Sequence, residues 1–127
     1  MEVVVDTNAL SAWLDGDPGI AKPLTEVTTL LLSPVALGEY RFGIQASREQ
    51  ASYEVKLQQL EKRFSVLGLD AATAIAYAKI RRQLKNDGRP IPWHDVWIAA
   101  QAKQHKARIL SNDGHFDFVK GIERIGW

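Results

Sequence analysis

The chain has 127 residues, 46 % of them hydrophobic and 24 % charged, a composition that suits one domain with a real core and excludes general disorder. A net charge of +1 excludes nucleic-acid binding by bulk charge alone, so any such binding needs a local basic patch. The absence of cysteine excludes disulfides, thiolate zinc sites and cysteine nucleophiles, and suits a cytoplasmic protein.

Taken in order, the chain begins "MEVVVDTN", with acids at Glu2 and Asp6. That start predicts no signal peptide, and no apolar stretch approaches the roughly 20 residues of a membrane helix. A soluble protein without a membrane partner is expected. Three valines, 3–5, read as a buried strand that ends on Asp6, Thr7 and Asn8. Leu10, Trp13 and Leu14 then share one face of a short helix. A weaker strand is expected over 28–32. Ser33-Pro34 is a helix start, with Ser at the N-cap and Pro at the first helical position. That helix carries Val35, Leu37, Glu39, Tyr40 and Phe42, and the company of Leu37, Tyr40 and Phe42 predicts a partly buried Glu39. Tyr53, Leu57, Leu60 and Phe64 form the stripe of another helix, expected as core or as a subunit contact.

A short strand follows over 65–67. Asp70 is the expected N-cap of a helix running to about Leu84 and closed by "NDGRP". The last strong helix is predicted over 94–106, with Val96, Ile98, Ala99 and Ala102 apolar. Strands are expected over 108–110 and 122–125. No repeat or linker interrupts residues 1–127, which read as a single domain. Strands alternating with helices predict an α/β fold with parallel strands covered by helices.

In open α/β sheets, ligands bind beyond the carboxyl ends of the strands. Asp6 and Asp113 each follow a predicted strand, Asp95 starts the last helix, and Glu39 lies early in the helix that follows the second strand. These four acids are therefore expected as neighbours. Close carboxylates repel and lose hydration, and no Arg or Lys stands beside each of them. A divalent cation answers both costs: Mg²⁺ or Mn²⁺ prefers oxygen ligands and keeps waters that can be activated. On this reading Asp6 and Asp95 hold the metal, and Glu39 and Asp113 join them directly or through water. Thr7 and Asn8 would orient Asp6 or the substrate by hydrogen bonds.

The ordered set of "VVVDTNAL", Glu39 in a helix before Gly43, "PWHDVWIAAQA" and "ILSNDGHFDFV" resembles a PIN domain. Length and the closing "GIERIGW" are similar to the VapC-type toxins of prokaryotic toxin–antitoxin pairs. The resemblance implies a three-layer α/β/α fold around a mainly parallel sheet of four to five strands. It places the family's acidic site on Asp6, Glu39, Asp95 and Asp113, with Asn8 and Ser111 at polar helper positions. It further implies a toxin ribonuclease, a homodimer, and a cognate antitoxin whose C-terminal segment covers the acidic pocket. His94 stands where the family often has Asn or Asp, Trp97 where a further acid sometimes occurs, and Asp117 remains a possible fifth carboxylate.

Plainer readings stand beside these. Asp6, Asp95 and Asp113 could be helix caps or turn residues, and Glu39 a solvated acid. His94 and His115 flank acids without any paired-histidine spacing, so both read as surface or capping residues, and His105 as a solvated helix end. Arg81, Arg82, Lys85 and Arg89, with Lys79, form a basic cluster that is either a solvated helix face or an RNA-binding surface. Trp13, Trp93, Trp97 and Trp127 read as packing residues, Trp93 having a second reading as a platform for a base. The rival functional classes are a phosphatase or receiver-like enzyme with a strand-tip aspartate, and a catalytically silent RNA- or protein-binding module. Asn8 stands where such phosphatases usually carry a second Asp.

Overall fold

Val3, Val4 and Val5 have no exposed surface at all, because their strand lies at the centre of the sheet with both faces covered. The structure is a computed structural model that describes residues 1–27 and 29–127. In chain order its elements are β1 (Glu2–Val5), α1 (Thr7–Leu14), α2 (Pro18–Glu26), β2 (Thr29–Leu32), α3 (Pro34–Ile44), α4 (Gln50–Arg63), β3 (Ser65–Val66), α5 (Ala71–Asn86), α6 (Trp93–His105), β4 (Arg108–Leu110) and β5 (Arg124–Ile125). A short 3₁₀ turn, Gly114–Phe118, lies between the last two strands. Of the strand expected over 28–32, Thr28 lies outside the described residues.

The five strands pair in the order β3-β2-β1-β4-β5, every pair parallel. The register sets Val5 beside Leu32 on one side and Leu110 on the other. Helices flank this sheet, as the alternating pattern predicts. β3 and β5 have two residues each, shorter than the expected 65–67 and 122–125, although Leu67 N still donates to Leu32 O at 2.8 Å.

Sequence signals account for most helix ends. Ser33 Oγ accepts from Val35 N at 3.2 Å and Pro34 opens α3. Asp70 and Thr73 make a reciprocal capping box at the head of α5. The turn after α5 uses Gly88 at φ 68°, a conformation that suits glycine. Helix α2 escapes the periodicity because Pro18, Gly19 and Pro23 crowd its nine residues; Asp17 caps it through Gly19 N at 2.8 Å.

The predicted stripe on α4 is core: Leu57 and Leu60 are buried, Phe64 meets Trp13 at 5.4 Å and Tyr53 meets Tyr40 at 6.5 Å. Glu39 is half-buried, as its place on α3 predicts, although Phe42 turns away from the core. Phe42 lies two residues from buried Tyr40, about 200° round the helix, and is 78 % exposed. Behind the sheet's carboxyl edge, fully buried Gln101 of α6 accepts from Ser33 Oγ and donates to Gly68 O at 3.1 Å. This ties the heads of α3 and α5 to α6. No described helix is long and apolar enough to cross a membrane.

Candidate active site

The chain reverses its direction of travel across the sheet between β1 and β4, and such switch points open a crevice at the carboxyl edge. Asp6 follows β1 and Ser111 follows β4, so the two meet there. Asp6 N donates to Leu110 O at 3.1 Å, which continues the β1–β4 ladder and fixes the backbone. Asp6 is buried, and its Oδ2 accepts from Ser111 Oγ at 2.8 Å and Asn8 Nδ2 at 3.2 Å. Asn8 also donates to Ser111 Oγ at 3.0 Å and accepts from Asn112 N at 3.1 Å. Ser111 Oγ in turn accepts from Asp113 N at 3.0 Å. A strand end, a helix start and the loop after β4 are thus stitched around one carboxylate.

Asp6, Glu39, Asp95 and Asp113 all line one open cleft, together with Thr7, Asn8, Ser11 and His94. Asp95 sits in the first turn of α6 and is buried, where the helix dipole favours an anion. Glu39 comes from α3, six residues after its N-cap. The Oε1 atom of Glu39 is buried and accepts no hydrogen bond from the described residues; the imidazole of His94 comes nearest, with Nε2 at 3.5 Å, as far as it lies from Asp95 Oδ1. Asp113 caps the 3₁₀ turn through His115 N at 3.3 Å.

His115 overturns its sequence reading. Its Nε2 lies 2.6 Å from Asp95 Oδ2 and its Nδ1 lies 3.0 Å from Asp113 Oδ1. Ligand-capable atoms of Asp95, Asp113 and His115 all fall within 4.8 Å of one another. The 3₁₀ turn is what aims the ring inward, and "NDGHF" carries no periodicity that announces it. Thr7 reaches the Asp6 carboxyl through its backbone N–H, while its hydroxyl is buried at the first position of α1 with no hydrogen-bond partner among the described residues.

The electrostatics follow from burial. Loss of hydration pushes the Asp6 carboxyl above its ordinary range; bonds from Ser111 and Thr7 oppose the rise, and Asp95 and Asp113 add to it. Burial likewise raises Glu39, against the pull of His94 and with a further push from Asp95 and Asp6. Asp95 is raised by burial too, with His94 and His115 holding it down. Each of these acids feels at least one of the others.

The remaining candidates lie elsewhere. Asp117 is not among the residues lining the cleft; both its oxygens take Arg124, at 3.0 and 2.9 Å, and this partner holds its carboxyl low. The basic cluster divides. Arg81 lies over the Trp93 ring. Arg82 and Lys85 join Arg81 and Tyr77 along an α5 groove, while Arg89 packs over Phe118. Trp93 is 64 % exposed and does not pack in the core.

Comparison with known proteins comes down on the same side as this geometry. A PIN-domain family profile matches residues 3–122. A protein named ribonuclease VapC4, from Mycobacterium tuberculosis, is 38 % identical over 96 residues, spanning 74 % of either chain. Among solved structures, VapBC2 from Rickettsia felis, bound to a DNA fragment from its promoter, superposes with a TM-score of 0.88 at 21 % identity, covering 100 % of this chain and 99 % of that one. VapBC-5 from Mycobacterium tuberculosis, described as a member of the VapBC family of toxin–antitoxin systems, gives 0.80 at 24 % identity and covers 99 % and 98 %.

Proposed function

The chain belongs to the PIN-domain family, in its VapC group, and from that premise we propose that it is a divalent-metal-dependent ribonuclease, the toxin of a toxin–antitoxin pair. The observation that carries this reading is the cleft itself: four acids from four separate segments line it, and buried Glu39 Oε1 is left without a hydrogen-bond donor. Raised carboxyl groups with a vacant acceptor suit a cation, and a donor set of carboxylate oxygens suits Mg²⁺ or Mn²⁺. A cation held there supplies an acidified water and neutralises phosphate charge.

The chain's own groups divide the remaining work. Asp6 and Asp95 are the most buried and best-fixed carboxylates, and they would hold the metal. Glu39 and Asp113 complete the ring from the more open side. Ser111 and Asn8 keep one Asp6 oxygen occupied, so only Oδ1 is free to turn to the cleft. The His115 ring holds Asp95 and Asp113 a fixed distance apart. Residues 1–127 form one PIN unit, working in the cytoplasm as a homodimer, with an antitoxin that covers the cleft as its partner. The name of the VapC4 relative, a ribonuclease, and the toxin–antitoxin description of VapBC-5 favour this assignment.

The test is cleavage of RNA in Mg²⁺ or Mn²⁺ by the wild-type protein and by Asp6→Asn. The expected loss is about 100-fold or more, as for a group that fixes a metal or its shell. A folded variant that cuts RNA at the wild-type rate overturns the proposal.

A further inference from the structure

Trp93 opens α6 with an indole 64 % exposed, while its neighbours His94 and Asp95 line the cleft. That ring is not loose. It rests on the Arg81 guanidinium, whose Cζ lies 4.4 Å from the ring centroid. Arg81 is itself anchored, donating from Nη1 to the Tyr77 hydroxyl at 3.1 Å and lying 6.0 Å from that ring. Tyr77 stacks on Trp97 at 4.1 Å, with the planes 24° apart.

Trp97, Tyr77, Arg81 and Trp93 therefore form a ladder that runs from half-buried Trp97 to a bare indole one residue before His94, which lines the cleft. The inner rungs are covered by their neighbours, so most of the ladder's free aromatic surface is at Trp93. A flat surface held in advance binds with little further loss of freedom. Arg82 and Lys85 continue the positive charge along α5 from Arg81. An acidic cleft, with an aromatic ledge at the start of α6 and a row of cations on α5, matches one kind of ligand: a polyanion with unpaired aromatic rings.

We propose that Trp93, backed by Arg81, is a base-stacking subsite for single-stranded RNA, holding a nucleotide beside the phosphate that the cleft receives, with Arg82 and Lys85 on the backbone further along. This rests on the ribonuclease reading above and adds to it the side chain that would hold an unpaired base. A duplex keeps its bases stacked inside and offers none to an indole, whereas a single strand can splay one onto it.

The probe is a short fluorescein-labelled single-stranded RNA, bound to Asp6→Asn protein so that it stays intact. Trp93→Ala in that background weakens binding about tenfold or more, the scale of one lost base stack, and Trp93→Phe restores most of it. An abasic RNA of equal length and charge binds the parent about as weakly as normal RNA binds Trp93→Ala, and that variant does not distinguish the two RNAs. Binding by Trp93→Ala within twofold of the parent overturns the subsite. So does a parent that holds normal and abasic RNA alike while light scattering finds Trp93→Ala missing a subunit, which would assign the indole to a protein contact. RNA cut normally by the Trp93→Ala single variant, with binding also unchanged, sinks the subsite and spares the ribonuclease reading. Neither binding nor cutting by any form sinks both.

Discussion

Helix α3 carries Glu39 and Arg41 two residues apart, on opposite sides, and the two reach clusters of carboxylates that could hardly differ more. Arg41 Nε takes both oxygens of Glu54, at 3.0 and 3.1 Å, and its other nitrogens take both oxygens of Glu61. Every charge there has a partner within the protein. Glu39 instead joins Asp6, Asp95 and Asp113 around a cleft where, among the described residues, the side chains in ion-pair range of these acids are the imidazoles of His94 and His115, and Glu39 Oε1 has no hydrogen-bond donor. The α3–α4 cluster is complete as folded. The cleft has no such matched partners among the described residues, and supplying one is the role proposed for a cation. Satisfied charges fasten helices together, and unsatisfied ones mark where a ligand belongs.

Removing the key residue of each cluster should therefore have opposite effects on stability. The largest effect is expected at the satisfied cluster. Arg41→Ala leaves Glu54 and Glu61 facing each other and should cost about 1–2 kcal/mol, the figure for a buried pair discounted because a third of these side chains is exposed. Denaturant unfolding measures this, and RNA cleavage by the folded variant should not change. At the cleft the sign reverses. Asp6→Asn, in metal-free protein, removes a charge that burial disfavours while its carbonyl still accepts from Ser111 and Asn8, and it should raise stability rather than lower it. A destabilised Asp6→Asn would mean that the cleft is as well compensated as the Arg41 cluster.

The smallest effect is on pH dependence. Asp6, Glu39 and Asp95 are raised in the folded state above ordinary values of 3.8, 4.5 and 3.8, so the native protein binds protons more tightly than the unfolded chain. Stability of the metal-free protein should then fall as pH climbs from those values through the raised ones, and level off above them. Asp70 and Asp117, both held low, act in the opposite sense but only below about 3.8. Unfolding followed from pH 4 to 8 checks the slope, which should be shallower in Asp6→Asn.

Much of this was legible in the sequence because the signals were local. Three valines ending on Asp6, the Ser33-Pro34 helix start and the Asp70 cap each declare an element within a few residues, and the structure has all three. The cleft acids were reached by a second step, that strand ends converge on one edge, and the parallel order of the strands supports it. The losses have local causes as well. Two prolines and a glycine hide α2. Phe42 is apolar in the sequence, yet the helix period turns it to solvent. His115 depends on a single 3₁₀ turn, whose five residues carry no repeat to read. Trp93 was visible as a residue, but its ledge needs Arg81 from another helix to hold it, and only the packing of α5 on α6 supplies that.

The central claim is that the carboxylates of the cleft, unlike those around Arg41, await a divalent cation. Calorimetric titration of Mn²⁺ into the wild-type protein, Asp6→Asn and Arg41→Ala tests it directly. Uptake by the wild-type and Arg41→Ala proteins, lost or weakened about 100-fold in Asp6→Asn, is the predicted result. Equal uptake by all three, or none by the wild-type protein, would contradict it.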